Sequence, residues 1–529
     1  MKQLFTIFLS FCLYGISYSQ TDSVEIEYSD KVKVKSAHFK NILTTGEKGF
    51  YTIGTNDKTI GYNKPGASFY LRKYSTGNFE MQQEWEIPAI NHKNAKAYYA
   101  GSVYNEKGFH LLLEAYDDRI KVRYLLHVAI DKNGNYSEPR ELLAIKSKTK
   151  FSRKFSIKHS KDYSKCALFF GTDEGTTDQA PMLFVFDEYF ELKWKTVART
   201  GLNDESVFRL VQMEVTNSGN ILALGYRKTV KFEDGKVNMS EKDALVLYNG
   251  KEDPIVFDFA DIEENVYSLS MFQDEGDALV LLGTYCEAGS NRPIGNVFMR
   301  FSLEDLENEV QSFQRFGSNL IGRLPSMDHS TGKDIKERIE NQLGSTKGGG
   351  RDGLKFVRYT NIATWPDGSY TAIAQRRYTR NYAGDPPRPA FYYYEDYVVV
   401  NMNANGKITS SRAIPYESFI AASSNELGGH YFHQGSDKVY VIFTSHISNV
   451  ERINTDQDAY SLGARGLGSI VMEINKDSEV RCTNARTYQG LSYTMLSQDF
   501  YAKLSENKCL AIYSVVTDNK IEFAEIEFP

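Results

Sequence analysis

The densest chemistry-bearing stretch of this chain sets arginines among aromatics. Arg376, Arg377, Arg380 and Arg388 lie close to Tyr378, Tyr382, Phe391, Tyr392, Tyr393 and Tyr394. A guanidinium grips a carboxylate through parallel N–H donors, and tyrosine adds broad contact at small entropic cost. That combination suits a polypeptide or an acidic glycan. A second stretch, from Ser445 to Gly468, adds Arg452, Asp456, Asp458, Tyr460 and Arg465. The first stretch also fits an extended hairpin whose alternating rings pack on a neighbouring sheet. Pro386 and Pro387 would stiffen its tip.

Signatures of catalysis are sparse. Glycoside hydrolysis needs two placed carboxylates, and no acidic pair stands out by spacing. GxSxG is absent. The run GTDEGTTD from Gly171 resembles a sialidase Asp box only superficially, because it lacks the tryptophan. His430 and His433 are three apart, which on a strand turns them to opposite faces, so they read as core or channel histidines. The glycines at 348–350 have no following GK[ST] and no preceding strand, so they do not form a phosphate loop. Cys166, Cys286, Cys482 and Cys509 show no CxxC spacing and read as small buried residues rather than zinc ligands. If oxidised they would allow three pairings. No cofactor and no metal is expected.

These residues sit on a repeating framework. A short dense apolar run recurs eight times: FYTIGT at Phe50, FHLLLEA at Phe109, CALFFGT at Cys166, ILALGY at Ile221, ALVLLGT at Ala278, SYTAIAQ at Ser369, VYVIFT at Val439 and CLAIYSV at Cys509. The first five begin about 55 to 59 residues apart. An alternating strand and a tight Asn/Asp/Gly turn precede each run, and a second pair of strands follows. Four antiparallel strands at such a period are the pattern of a propeller blade. The expected fold is all-β: a single β-propeller of eight four-stranded blades, with seven as the alternative. No WD dipeptide or kelch glycine pair recurs, so no repeat family is named.

The ends account for closure. The eighth unit has three strands and then the sequence stops at Pro529, while VEIEY at Val24 is an alternating strand with no unit of its own. This strand is expected to complete the last blade and so remove an exposed edge. Within each unit the first and third turns are short, and the long connections follow the second strand. All the long connections therefore leave one face, where a rigid scaffold holds variable loops for function. The segment from Gly317 to Gly353 belongs to the same face. It reads as a helix over about Lys333 to Leu343 followed by a glycine-rich strap.

The balance of the chain narrows the partners. Its net charge of −6 gives no broad positive field, so nucleic acid is not expected. Lys2, an apolar core from Leu4 to Ile16, and small residues Ser17 and Ser19 before Gln20 form a leader. That apolar core is too short to span a bilayer, and no later segment qualifies. Residues 1–19 are expected to be a signal peptide and 20–529 the propeller. Phe11 before Cys12 argues against a lipoprotein site. A leader ending in Ser-Tyr-Ser before Gln, with abundant Lys, Asn and Tyr, resembles exported proteins of Bacteroidetes-type bacteria. The resemblance is one of composition and architecture. It implies an exported protein of the periplasm or outer membrane. The absence of room after the last strand for a separate sorting domain points to retention at the envelope. The expected function is non-catalytic binding of an envelope protein or glycan. A glycan-processing hydrolase or lyase, or an accessory subunit of an outer-membrane secretion or motility complex, are the alternatives.

Overall fold

A strand covered on both sides loses its polar alternation, and this explains the repeated apolar runs. Phe50–Thr55 and Gly108–Asp117 are buried at every position, whereas the outer strand Met81–Ile87 is exposed along most of its length. The computed structural model describes residues 24–30, 32–33, 38–44, 49–55, 66–147, 155–171, 181–200, 207–233, 236–251, 253–259, 262–274, 278–287, 293–317, 320, 357–380, 391–421, 430–455, 457, 467–487, 493–495, 501–515 and 520–529. At some strand ends, including Tyr378, Arg380 and Tyr392, only the backbone course is described.

The described strands form eight antiparallel sheets, each running a-b-c-d from the inside outward. Eight core clusters fill the seams between successive sheets. One joins blades 1 and 2 through residues such as Ile53 and Leu111, and another joins blades 8 and 1 through Phe523 and Phe50. The ring is thus a closed eight-bladed propeller, and the seven-bladed alternative falls.

Closure follows the expected pairing. Strand β1 (Glu25–Tyr28) lies antiparallel on Lys520–Glu527, with Glu25 opposite Glu527 and Tyr28 opposite Ala524. Strand β2 (Val32–Lys33) continues the ladder to Ile521 and Lys520. The Tyr28 ring meets Tyr513 at 5.5 Å and lies beneath the Arg486 guanidinium at 4.1 Å. Strand a of blade 8 is in two pieces, Tyr493–Met495 and Tyr501–Lys503, both on strand b.

Four of the described c–d turns share one chemistry. Asp131, Asp187, Asn403 and Asn475 each accept backbone N–H bonds, through one side-chain oxygen, from residues two and four positions on. The residue three positions on takes a left-handed conformation: Gly134, Phe190, Gly406 and Ser478. It seats on the preceding blade. A Cβ at Gly406 would run into the Phe298 ring, while Phe190 fills its site by stacking on His127 at 4.5 Å.

Two of the expected variable loops begin as regular ladder. In blade 4, strands Ile221–Glu233 and Lys236–Tyr248 stay paired out to Glu233 and Lys236. In blade 6, Tyr370–Arg380 and Phe391–Met402 stay paired out to Arg380 and Phe391. The blade 7 connection carries a short helix, α1 (Ser448–Asn454), which sequence patterning did not signal. The expected helix over Lys333 to Leu343 and its strap lie outside the described residues. No helix among the described residues is long and apolar enough to cross a membrane.

Candidate functional site

Two polar regions arise from this scaffold. The first is the seam between blades 6 and 7. Arg376 and Arg377 are consecutive on a strand, so they face opposite sides of the sheet. Arg376 is 0% exposed. Arg377 is half-buried and stands opposite Tyr394 in the ladder, its guanidinium 5.5 Å from that ring. Its Nε donates to Gln375 Oε1 at 2.8 Å. Tyr394, only 3% exposed, belongs to the core cluster that joins blade 6 to Phe443 of blade 7 and Ile453 of α1. Burial lowers the Arg377 pKa, against the pull of Tyr397, Tyr394 and Tyr416, and nearby Arg358 lowers it further. Among the described residues no carboxylate pairs with Arg377 or with exposed Arg358.

His430 enters this seam from blade 7. Its Nε2 lies 2.8 Å from Asn361 Oδ1 and 3.3 Å from Thr360 Oγ1, and its ring meets Tyr397 edge-on at 5.2 Å. Burial, with Arg377 adding to it, drops the His430 pKa to about 3. His433 turns the other way and stacks on Phe528 of blade 8 at 3.9 Å. Arg452, in the last turn of α1, is half-buried beside Ile453 in sequence, and Ile453 packs into the seam's core. Asn454 fixes this helix by exchanging hydrogen bonds with the Cys482 backbone at 2.9 and 2.7 Å.

The seam therefore brings Arg377 onto Tyr394, with Arg376 on the far side of the sheet and Arg452 on the helix whose Ile453 packs into the same cluster. Tyr378, Arg380 and Tyr392 continue the hairpin outward, by backbone course. Tyr382, Arg388, Tyr460 and Arg465 lie outside the described residues. The four cysteines are buried and none is in a disulfide. No cluster of three or more His, Cys, Asp or Glu suited to a metal occurs among the described residues.

The second region was not signalled by the sequence. A cavity of about 660 Å³ is lined by the inner strands of blades 3 to 6. Those strands are Phe155–His159, Val207–Val215, Asn265–Gln273 and Val357–Thr364. In three of them a one-residue bulge shifts the alternation, between Leu210 and Gln212, Val266 and Ser268, and Tyr359 and Asn361. The bulge in blade 4 sends the Gln212 amide to the next inner strand. There it donates to Met271 O at 2.5 Å and accepts from Met271 N at 2.9 Å. Gln212 also braces Glu214 at 3.3 Å, and the Lys158 ammonium pairs with Glu214 at 3.0 Å. Burial holds the half-buried His159 down at about 4, with His110 and Lys158 adding to the effect, so it is neutral at pH 7.

No family model matches this chain, and no curated protein matches it. Solved structures are similar to it in fold. The β-propeller domain of the Trilobed protease from Pyrococcus furiosus matches at 9% identity and a TM-score of 0.34, covering 89% of this chain and 96% of that one. Sqt1 from Chaetomium thermophilum matches at 9% identity and 0.39, covering 95% and 97%. A protein of unknown function from Dyadobacter fermentans matches at 11% identity and 0.30, covering 72% and 96%. These likenesses concern architecture alone, and the eight-bladed ring rests on its own ladders and seams.

Proposed function

We propose that this propeller is an exported, non-catalytic binding protein of the bacterial cell envelope. Its ligand is an acidic protein segment or acidic glycan held at blades 6 and 7. The observation that supports this reading is Arg377. It is a half-buried cation set against Tyr394 with no carboxylate partner among the described residues, at the root of a hairpin whose ladder runs on to Arg380, with Arg388 in the sequence that joins its strands. A desolvated cation without a counter-charge favours an anionic ligand. Arg377 and Tyr394 anchor the hairpin, and the outer arginines meet the partner.

The test uses the full chain against an envelope extract, with an Arg380→Ala, Arg388→Ala double variant. Arg377 is left in place because it is packed. The wild type is expected to recover a partner whose binding weakens with salt, and the double variant to recover less at an unchanged melting temperature. Equal recovery by both would remove this hairpin as the site. Fractionation is expected to find the protein with the periplasm or outer membrane. Free protein in the medium would count against an envelope role.

A further inference from the structure

The a–b turn of blade 3 carries an unexplained residue at the rim of the channel cavity. In the equivalent turns of blades 4 and 6, the N–H that closes the turn belongs to Gly219 or Gly368, both left-handed. In blade 3 it belongs to Tyr163, whose N–H donates to Ser160 O at 3.0 Å with φ at 56°. A bulky side chain pays a steric penalty there. Phe79, Phe190, Leu306 and Ser478 accept the same conformation elsewhere but are buried, and exposed Lys93 and Lys121 hold ion pairs with Glu141 and Asp118. Tyr163 is 51% exposed, and it lines the cavity. Strain held at an exposed ring beside a cavity points to a ligand rather than to the fold.

The cavity's polar groups define that ligand. Lys158 and Glu214 set a donor and an acceptor 3.0 Å apart. Adjacent hydroxyls on one ring both donate and accept, so a sugar diol bridges such a pair. Lys161 is held at the rim by the carbonyls of Gln273 and Asp274, at 3.4 and 3.2 Å. With Lys158 balanced by Glu214 and His159 neutral, Lys161 leaves a single positive charge at the rim, which is no strong field for a polyanion. The volume falls within the range of small-molecule sites, about 300–1,000 Å³. An exposed tyrosine offers an apolar face to the C–H side of a pyranose.

We propose that this cavity is a carbohydrate subsite for a neutral sugar ring, with Tyr163 as its stacking platform and the Lys158–Glu214 pair as its hydroxyl clamp. It is a different site from the blade 6–7 seam and stands without it.

Ligand-observed NMR and calorimetry on the full chain test this. The probes are the methyl glycosides of glucose, galactose, mannose and N-acetylglucosamine, with glucuronate as the charged counterpart. At least one neutral glycoside is expected to bind saturably. Tyr163→Gly and Glu214→Gln are each expected to weaken it about tenfold or more. Tyr163→Gly relieves the left-handed strain, so its melting temperature is expected to stay level or rise. The Arg380→Ala, Arg388→Ala variant is expected to bind the glycoside like wild type. Failure of every neutral glycoside to saturate by about 10 mM would overturn the proposal. So would binding of glucuronate alone, or wild-type affinity in both cavity variants.

Discussion

The seam between blades 6 and 7 and the cavity on the channel wall each hold a cation, a histidine and a tyrosine, yet they are built to opposite ends. In the seam Arg377 rests on Tyr394, His430 is sealed against Tyr397, and the tyrosines belong to the core. In the cavity Lys158 meets a carboxylate, His159 is half-buried, and Tyr163 stands exposed in a strained conformation. The seam packs its aromatic and polar groups at the root of the hairpin, where two blades meet. The cavity keeps its groups available and accepts a local cost. Similar residue types thus anchor the base of one proposed site and line the other directly, and the exposure of the tyrosine separates them.

Truncating the tyrosines should split the two regions most widely. Tyr397 is fully buried, so Tyr397→Ala is expected to cost about 3–5 kcal/mol, whereas Tyr163→Ala should cost little. Comparable losses in denaturant melts would erase the distinction. Acid gives the next contrast. His430 has a folded pKa of about 3 against an ordinary 6.5, so the fold favours its neutral form. The stability it contributes is complete above pH 6.5. That contribution falls as the unfolded ring begins to protonate, and about 4 kcal/mol is gone by pH 3. His430→Gln should flatten the fall in melting temperature between pH 6.5 and 3 more than His159→Gln does. Identical slopes for wild type and His430→Gln would refute the assignment. The smallest effect concerns the cations. Arg377→Ala loses a hydrogen bond and a ring contact and should cost about 1–2 kcal/mol, while Lys158→Ala should cost under about 1 kcal/mol. A reversed order would mean that the cavity pair is structural.

The ring was legible because its inner strands are sandwiched: a run such as FHLLLEA has no reason to be apolar throughout unless both faces are covered. The clasp was legible by arithmetic, as the last unit lacked a strand that the first residues could supply. The hairpin of blade 4 read as a loop because it runs on beyond the seam, where the sequence turns polar although the ladder persists, whereas the alternating rings of blade 6 already fitted an extended hairpin. The cavity was illegible for a different reason. It draws a few residues from each of four distant strands, and single-residue bulges such as that before Gln212 decide which of them face inward. Nor could Tyr163 be read as left-handed, since no glycine or asparagine marks the spot.

The clasp also has a consequence for assembly. Ser29 N–H donates to Phe523 O at 2.9 Å, and Phe523 N–H donates back to Ser29 Oγ at 2.9 Å, across 494 residues of chain. A contact so remote in sequence forms late and slowly. Until it forms, blade 8 shows an open edge that any matching strand can occupy. The ladder from Glu25 to Lys33 carries its recognition in its own backbone and in a few side chains such as Tyr28, so it is exchangeable. A chain lacking residues 24–33 should melt lower and should regain stability when a synthetic peptide of those residues is added. At high concentration two intact copies could trade clasps and become a swapped pair. Failure of the peptide to raise the melting temperature of the shortened chain would show that the ring closes without it.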